Sequence, residues 1–79
     1  MEQTPQNIEH NFNEPQVLRK LHSGFEIVFT PDPDDSHFIN IEMRRIKTGE
    51  TKCSHYIIKS DASQWFAMYE TDGWIQFKQ

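Results

Sequence analysis

A chain of 79 residues has room for one small hydrophobic core but rarely for a deep catalytic cleft as well, because ligand pockets take up ~300–1,000 Å³. The net charge of −4 lacks the basic field that is usual in nucleic-acid-binding proteins. The single cysteine, Cys53, excludes an internal disulfide and favours a cytoplasmic protein over a secreted one, and no stretch approaches the ~20 apolar residues of a membrane span.

The two ends of the chain differ in composition. Residues 1–11 are mostly polar, and we predict that they form a disordered or loosely attached arm without the features of a signal peptide. Residues 12–79 contain nearly all of the aromatic and aliphatic side chains. We therefore expect one α+β domain over 12–79.

The first predicted element is a short helix over 14–22. Asn13 and Gln16 have the spacing of a capping box, and Gly24 supplies a left-handed stop. Three apolar residues then form a stripe at helical spacing, namely Val17, Leu18 and Leu21.

A strand and a loop follow this helix. Residues 25–29 alternate between apolar and polar side chains, as expected for a half-buried strand. Two prolines and three aspartates over 31–35 suit neither a strand nor a helix and indicate a loop.

The clearest predicted element is a β-hairpin with strands 37–47 and 50–59 and a turn at Thr48-Gly49. The register of this turn puts Ile39, Ile41 and Met43 opposite Ile58, Tyr56 and Ser54 on one face. The other face then carries Cys53 and His55 among polar neighbours, exposed to solvent.

A second helix is predicted to begin after Ser60 or Asp61 and to end at Gly73. Residues 74–77 form a closing strand that runs parallel to 50–59 and lies beside 25–29 or 50–59. The predicted order is α-β-β-β-α-β, a mostly antiparallel four-stranded sheet with its helices on one face. The side of the second helix that faces the sheet consists of Ala62, Trp65, Phe66 and Tyr69.

Two groups of residues resemble parts of a chemical site. Cys53 and His55 point the same way on a strand, but the other ligands of a zinc site have no recognisable spacing, and nothing marks an oxyanion hole. Asp32, Asp34 and Asp35 lack the central glycine and the final glutamate of a calcium loop. We therefore expect no enzyme activity, no metal site and no cofactor.

The hypothesis that we favour is a protein-interaction module that binds a protein partner or itself through a sheet edge or the second sheet face. With too few helices to cover both faces, an apolar patch of Val28, Phe38 and Trp74 is expected on that face. Chains of this size and mild acidity are common among accessory, adaptor and inhibitor proteins of phage or mobile elements, which is an association with size alone.

The alternative is a nucleic-acid-binding module. Four basic residues cluster over 44–52 at the tip of the hairpin, and a two-stranded ribbon fits a major groove. These residues are Arg44, Arg45, Lys47 and Lys52.

Overall fold

The computed structural model describes residues 12–77, so the predicted arm over 1–11 lies outside the described residues. Five strands, one 3₁₀ turn and one α-helix make up this part of the chain. In chain order they are β1 (Gln16–Arg19), β2 (Phe25–Pro31), β3 (Phe38–Arg45), β4 (Thr51–Ile58), a 3₁₀ turn (Lys59–Asp61), α1 (Ala62–Thr71) and β5 (Ile75–Phe77).

The strands form one antiparallel sheet in the order β4-β3-β2-β1-β5. α1 packs on one face of the sheet, which we call the helix face. The hydrophobic core lies between α1 and this face and includes Leu18, Ile27, Phe29, Ile41 and Phe66. The α+β class is confirmed, and the described part of the chain has five strands and one α-helix where four strands and two helices are predicted. Within residues 12–77, no helix is long and apolar enough to cross a membrane.

The predicted helix over 14–22 is wrong, because this segment contains β1. Val17 and Leu18 are both buried on opposite sides of the strand, and β1 pairs with β2 on one side and β5 on the other. Leu21, expected in the buried stripe, lies in the following turn and is 75% exposed. A stretch of four residues between two strands gains ladder hydrogen bonds on both sides, which outweighs a local helical preference.

The predicted second helix is confirmed as α1, with Ala62 and Phe66 fully buried against the sheet. It ends in a Schellman motif: Gly73 (φ 100°) donates to the carbonyl of Glu70 and Trp74 donates to that of Tyr69. This motif turns the chain back, so that Trp74 packs on Tyr69 with ring centroids 6.2 Å apart.

The last strand is placed differently from the prediction. β5 runs in the same direction as β4, as expected, but it pairs with β1 and not with either strand named as its neighbour. Pairing of β5 with β1 does not follow from the sequence pattern, because that pattern predicts a helix over 14–22, where β1 lies.

The hairpin of β3 and β4 is confirmed, but its register is shifted by one residue. Arg45 and Glu50 are joined by a backbone hydrogen bond around a four-residue loop, and a β-bulge lies where Arg44 pairs with Thr51. As a result Ile39 faces Ile57 instead of Ile58. A one-residue shift moves every side chain of β4 to the other face of the sheet.

Candidate interaction site

The shifted register decides which side chains of β4 meet the helix face. Cys53, His55 and Ile57 share the face of Ile39 and Ile41. The His55 ring lies 5.0 Å from the Trp65 ring of α1. Cys53 and His55 are therefore on the helix side of the sheet edge, and the prediction that they lie on the opposite face is wrong.

The opposite face carries no helix among residues 12–77, and we call it the open face. On β4 its side chains are those of Ser54, Tyr56 and Ile58. The sequence pattern had placed these residues on the core face. The bulge that sets the correct register leaves Thr51 and Lys52 opposite Arg44, and no residue type at these positions marks it in the sequence.

Backbone hydrogen bonds show which groups of β4 are free. Lys59 donates to the carbonyl of His37 at 2.7 Å, so these two residues form a hydrogen-bonded antiparallel pair. Alternation along the ladder then assigns the bonds with β3 to Ile57, His55 and Cys53. The bond from Ile46 to Gly24 at 3.0 Å, on the other side of β3, gives the same alternation.

The N–H and C=O groups of Ser54, Tyr56 and Ile58 consequently point away from the sheet. β4 is an edge strand of eight residues, and all of them except Ile57 are exposed. Within residues 12–77, no other strand pairs with this edge. We call the outward backbone groups of these three residues, together with their side chains, the β4 edge surface.

Aromatic rings extend the β4 edge surface onto the open face. The Tyr56 ring stacks on Phe38, with centroids 4.9 Å apart and planes 4° from parallel. Tyr56 is 57% exposed and Ile58 is 51% exposed, so the stack and the isoleucine present apolar area beside the free backbone.

The hydroxyl of Tyr56 donates to the carboxylate of Asp32 and fixes the ring over the β2–β3 loop. This bond lowers the pKa of Asp32 from its ordinary value and raises the pKa of Tyr56 to about 12. Backbone and side-chain hydrogen bonds from His37 lower the pKa of Asp35 in the same loop. The loop therefore stays anionic at neutral pH and adjoins one end of the β4 edge surface.

The three residues predicted as a partner patch are not brought together. Trp74 is 7% exposed and belongs to the core on the helix face. Val28 lies on the open face but is 4% exposed, whereas Phe38 is half-buried in its stack with Tyr56. The sequence does contain a signal for this position of Trp74. Tyr69 and Trp74 have the spacing around Gly73 at which a hydrophobic contact accompanies a Schellman motif, and their rings are in contact in the structure.

The basic residues predicted as a nucleic-acid surface lie at the opposite end of the β3–β4 hairpin. Arg44 Nε is 3.6 Å from Glu42 Oε1, and Arg45 Nε is 3.5 Å from Glu50 Oε1. Arg45 also lies over the Phe25 ring. Lys47 and Lys52 are exposed near the same tip.

Metal-binding residues are not clustered. Within residues 12–77, no three His, Cys, Asp or Glu side chains are close enough together to hold a metal ion. Asp32 and Asp35 instead accept backbone hydrogen bonds from Asp34 and His37, which are the contacts of an ordinary polar loop.

A second apolar surface lies at the β5 edge. Leu21, Ile46, Ile75 and Phe77 line an open groove of about 390 Å³, and the Arg19 guanidinium covers the Phe77 ring at 3.8 Å. This groove has little free backbone, because alternation through β2 and β1 directs both Ile75 and Phe77 towards β1 and leaves Gln76 alone facing outward.

Comparison with protein-family models, curated proteins and solved structures finds no match to this chain. The candidate function consequently depends on the geometry of the β4 edge surface.

Proposed function

We propose that this chain is a non-enzymatic protein-interaction module that binds an extended segment, from a protein partner or from a second copy, along β4. The observation that carries the proposal is the row of outward N–H and C=O groups on Ser54, Tyr56 and Ile58. A long, unpaired edge is a template for strand addition, and proteins that do not use one usually shorten, bulge or cover it. On β4 the bulge is confined to residues 51–52 at the hairpin tip, and the pairing over 53–58 is regular.

The energetics of strand addition suit this edge. Three outward residues can exchange about six backbone hydrogen bonds with an antiparallel strand. Each such bond contributes about 0.5–1.5 kcal/mol net, which is of the size needed to offset part of the cost of association. The exposed Tyr56 and Ile58 add apolar contact on alternate positions, which is how strand addition gains specificity.

The residues between the ends of β4 favour docking for a further reason. Residues 53–58 contain no lysine, arginine, aspartate or glutamate. A strand added here therefore buries no charged side chain of β4, and the large desolvation penalty of a buried charge is avoided.

Peptide selection tests the proposal without a known partner. Peptides selected from a displayed random library on the immobilised protein are measured against Ser54→Pro and Ser54→Ala. Proline removes an outward N–H but no bond to β3, so we expect binding to weaken by about tenfold or more, while alanine changes it less than about twofold. Peptides that bind both variants equally would contradict docking at β4.

The nucleic-acid alternative has less support, because Arg44 and Arg45 already lie beside carboxylates. It is distinguished by a gel shift at physiological ionic strength. A salt-sensitive complex that is lost on reversing Arg44 and Lys52 to glutamate would favour this alternative and count against the interaction module.

A further inference from the structure

We propose that the strand added to β4 is β4 of a second copy of the chain, running antiparallel about a two-fold axis at His55. This inference rests on the proposed function and names its partner. The two sheets then join into one sheet of ten strands, with the two helix faces on the same side.

The distribution of charge favours antiparallel pairing. The β2–β3 loop at one end of β4 carries Asp32, Asp34 and Asp35, and the hairpin tip at the other end carries Lys47 and Lys52. An antiparallel second copy brings the basic tip of each chain towards the acidic loop of the other. A parallel strand would bring like charges together at both ends, at a cost in free energy. Only the antiparallel arrangement is also compatible with a two-fold axis across the edge.

The alternation of free groups limits the register. An outward residue must face another outward residue, so the axis lies at Ser54, at His55 or at Tyr56 when the paired stretch is centred on β4. An axis at Ser54 sets the bulged residues 51–52 opposite Ile57 and Tyr56 of the second copy, inside the paired stretch, where a bulge interrupts hydrogen bonding, whereas an axis at His55 leaves them at its end.

The other two registers differ in where the paired stretch ends. An axis at Tyr56 extends the pairing to Lys59, where the strand gives way to the 3₁₀ turn. An axis at His55 pairs residues 52–58 with their copies and keeps the paired stretch within β4.

Opposed side chains suit the His55 axis. Ser54 lies opposite Tyr56 of the second copy, Cys53 opposite its Ile57, and Lys52 opposite its Ile58. On the axis itself each His55 lies opposite its copy; no lysine, arginine, aspartate or glutamate opposes a like charge directly, and the aliphatic stem of lysine can lie along an isoleucine. Pairing along one edge buries less than the ~800 Å² per partner of a stable complex, so the dimer forms and dissociates with concentration.

Cysteine cross-linking tests the register. In the full chain with Cys53→Ser, cysteine is placed at position 54, 55, 56 or 75, the last being a control on the far edge, and each variant is mildly oxidised. Opposed residues of a non-hydrogen-bonded pair lie ~4.5 Å apart at Cα, within the range that a disulfide spans. We expect His55→Cys to form covalent dimer at least about tenfold faster than Ile75→Cys. Faster dimer formation by Ser54→Cys or Tyr56→Cys overturns the register, and equal rates for all four overturn the β4 dimer.

Sedimentation equilibrium supplies a second readout without new cysteines. By symmetry Ser54→Pro removes two intermolecular bonds, so we expect the dimer dissociation constant to rise about tenfold or more, and Ser54→Ala to leave it within about twofold. A chain that stays monomeric, but whose selected peptides bind in a manner sensitive to Ser54→Pro, overturns the second copy as partner and leaves the proposed function standing. A monomer without such peptides overturns both.

Discussion

The two edges of the sheet offer very different amounts of free backbone. β4 is eight residues long, and Ser54, Tyr56 and Ile58 direct their backbone groups outward. β5 is three residues long, and Gln76 alone faces outward, with its side chain donating to Gln16. A very short edge strand is a common protection against unwanted pairing, and β4 lacks this protection. The unpaired backbone that strand addition requires is therefore on the hairpin edge.

The largest expected effect is on the stability of the whole fold, and it removes both edges of the sheet together. Phe66 is fully buried and packs against Phe12 and Phe29 beneath α1, so Phe66→Ala is expected to destabilise the fold by ~3–5 kcal/mol. Urea unfolding followed by circular dichroism measures this. Met68, on the outer side of α1 and 54% exposed, is the matched control, and Met68→Ala is expected to change stability by less than ~0.5 kcal/mol. Similar losses for both variants would contradict the packing of α1.

The second prediction sharpens the comparison inside β4. His55 bonds to β3, whereas Ser54 directs its N–H outward. His55→Pro therefore leaves a β3 carbonyl without its donor, and we expect it to cost ~1–3 kcal/mol more than Ser54→Pro. Thermal or urea unfolding of the two variants at a concentration where the chain is monomeric gives the difference. Equal losses would mean that the alternation along β4 is assigned the wrong way round.

The third prediction concerns the β5 edge. Arg19 bonds to Glu26 at 3.1 Å and its guanidinium carbon lies 3.8 Å from the centre of the Phe77 ring, so it links β5 to β1 and β2. Arg19→Lys keeps the charge and loses the planar stacking, and we expect a loss of ~0.5–1 kcal/mol. The same substitution in a Phe77→Leu background should cost less, because no ring remains to be covered. A loss that is unchanged in that background would contradict the stacking contribution.

The smallest effect is on pH dependence at the acidic end of β4. The hydrogen bond from Tyr56 to Asp32 stabilises the fold only while Asp32 is ionised and Tyr56 is protonated. This stabilisation is lost at low pH as Asp32 is protonated through its lowered pKa. It is also lost at high pH as Tyr56 ionises through its raised pKa of about 12. Between the ordinary pKa values of 3.8 and 10.0 the contribution is fully present.

Ultraviolet titration of tyrosine checks this bond directly. Tyr69→Phe leaves Tyr56 as the single tyrosine, which is expected to titrate near 12. Adding Asp32→Asn removes the carboxylate, and the pKa of Tyr56 is then expected to fall towards 10.0. A titration that does not respond to Asp32→Asn would show that the ring is not held to the loop.

Much of the fold was accessible from the sequence because several elements are locally consistent. The turn predicted at Thr48-Gly49 gives the right hairpin but the wrong loop, because the loop has four residues, 46–49. Alternation over 25–29 and the helical spacing from Ala62 to Tyr69 each predict an element that the structure contains. Such elements combine the correct periodicity with the correct stop signals, so local preference and tertiary packing agree.

The elements that were missed depend on distant partners. β1 is a strand because β2 and β5 lie on either side of it, and nothing within 14–22 reports their presence. The bulge opposite Arg44 adds one residue to β4 and reverses its faces. That single shift hid the candidate site, because it moved Tyr56 and Ile58 from the expected core to the open face.

Residue-resolved amide hydrogen exchange tests the central claim most directly. In dilute protein, the amides of Ser54, Tyr56 and Ile58 are expected to exchange quickly while those of His55 and Ile57 are protected by β3. At high concentration, or with a selected peptide, the three outward amides should become protected while the amide of Gln76 on the β5 edge does not change. Protection that appears at Gln76 and not on β4 would contradict the assignment of the docking edge.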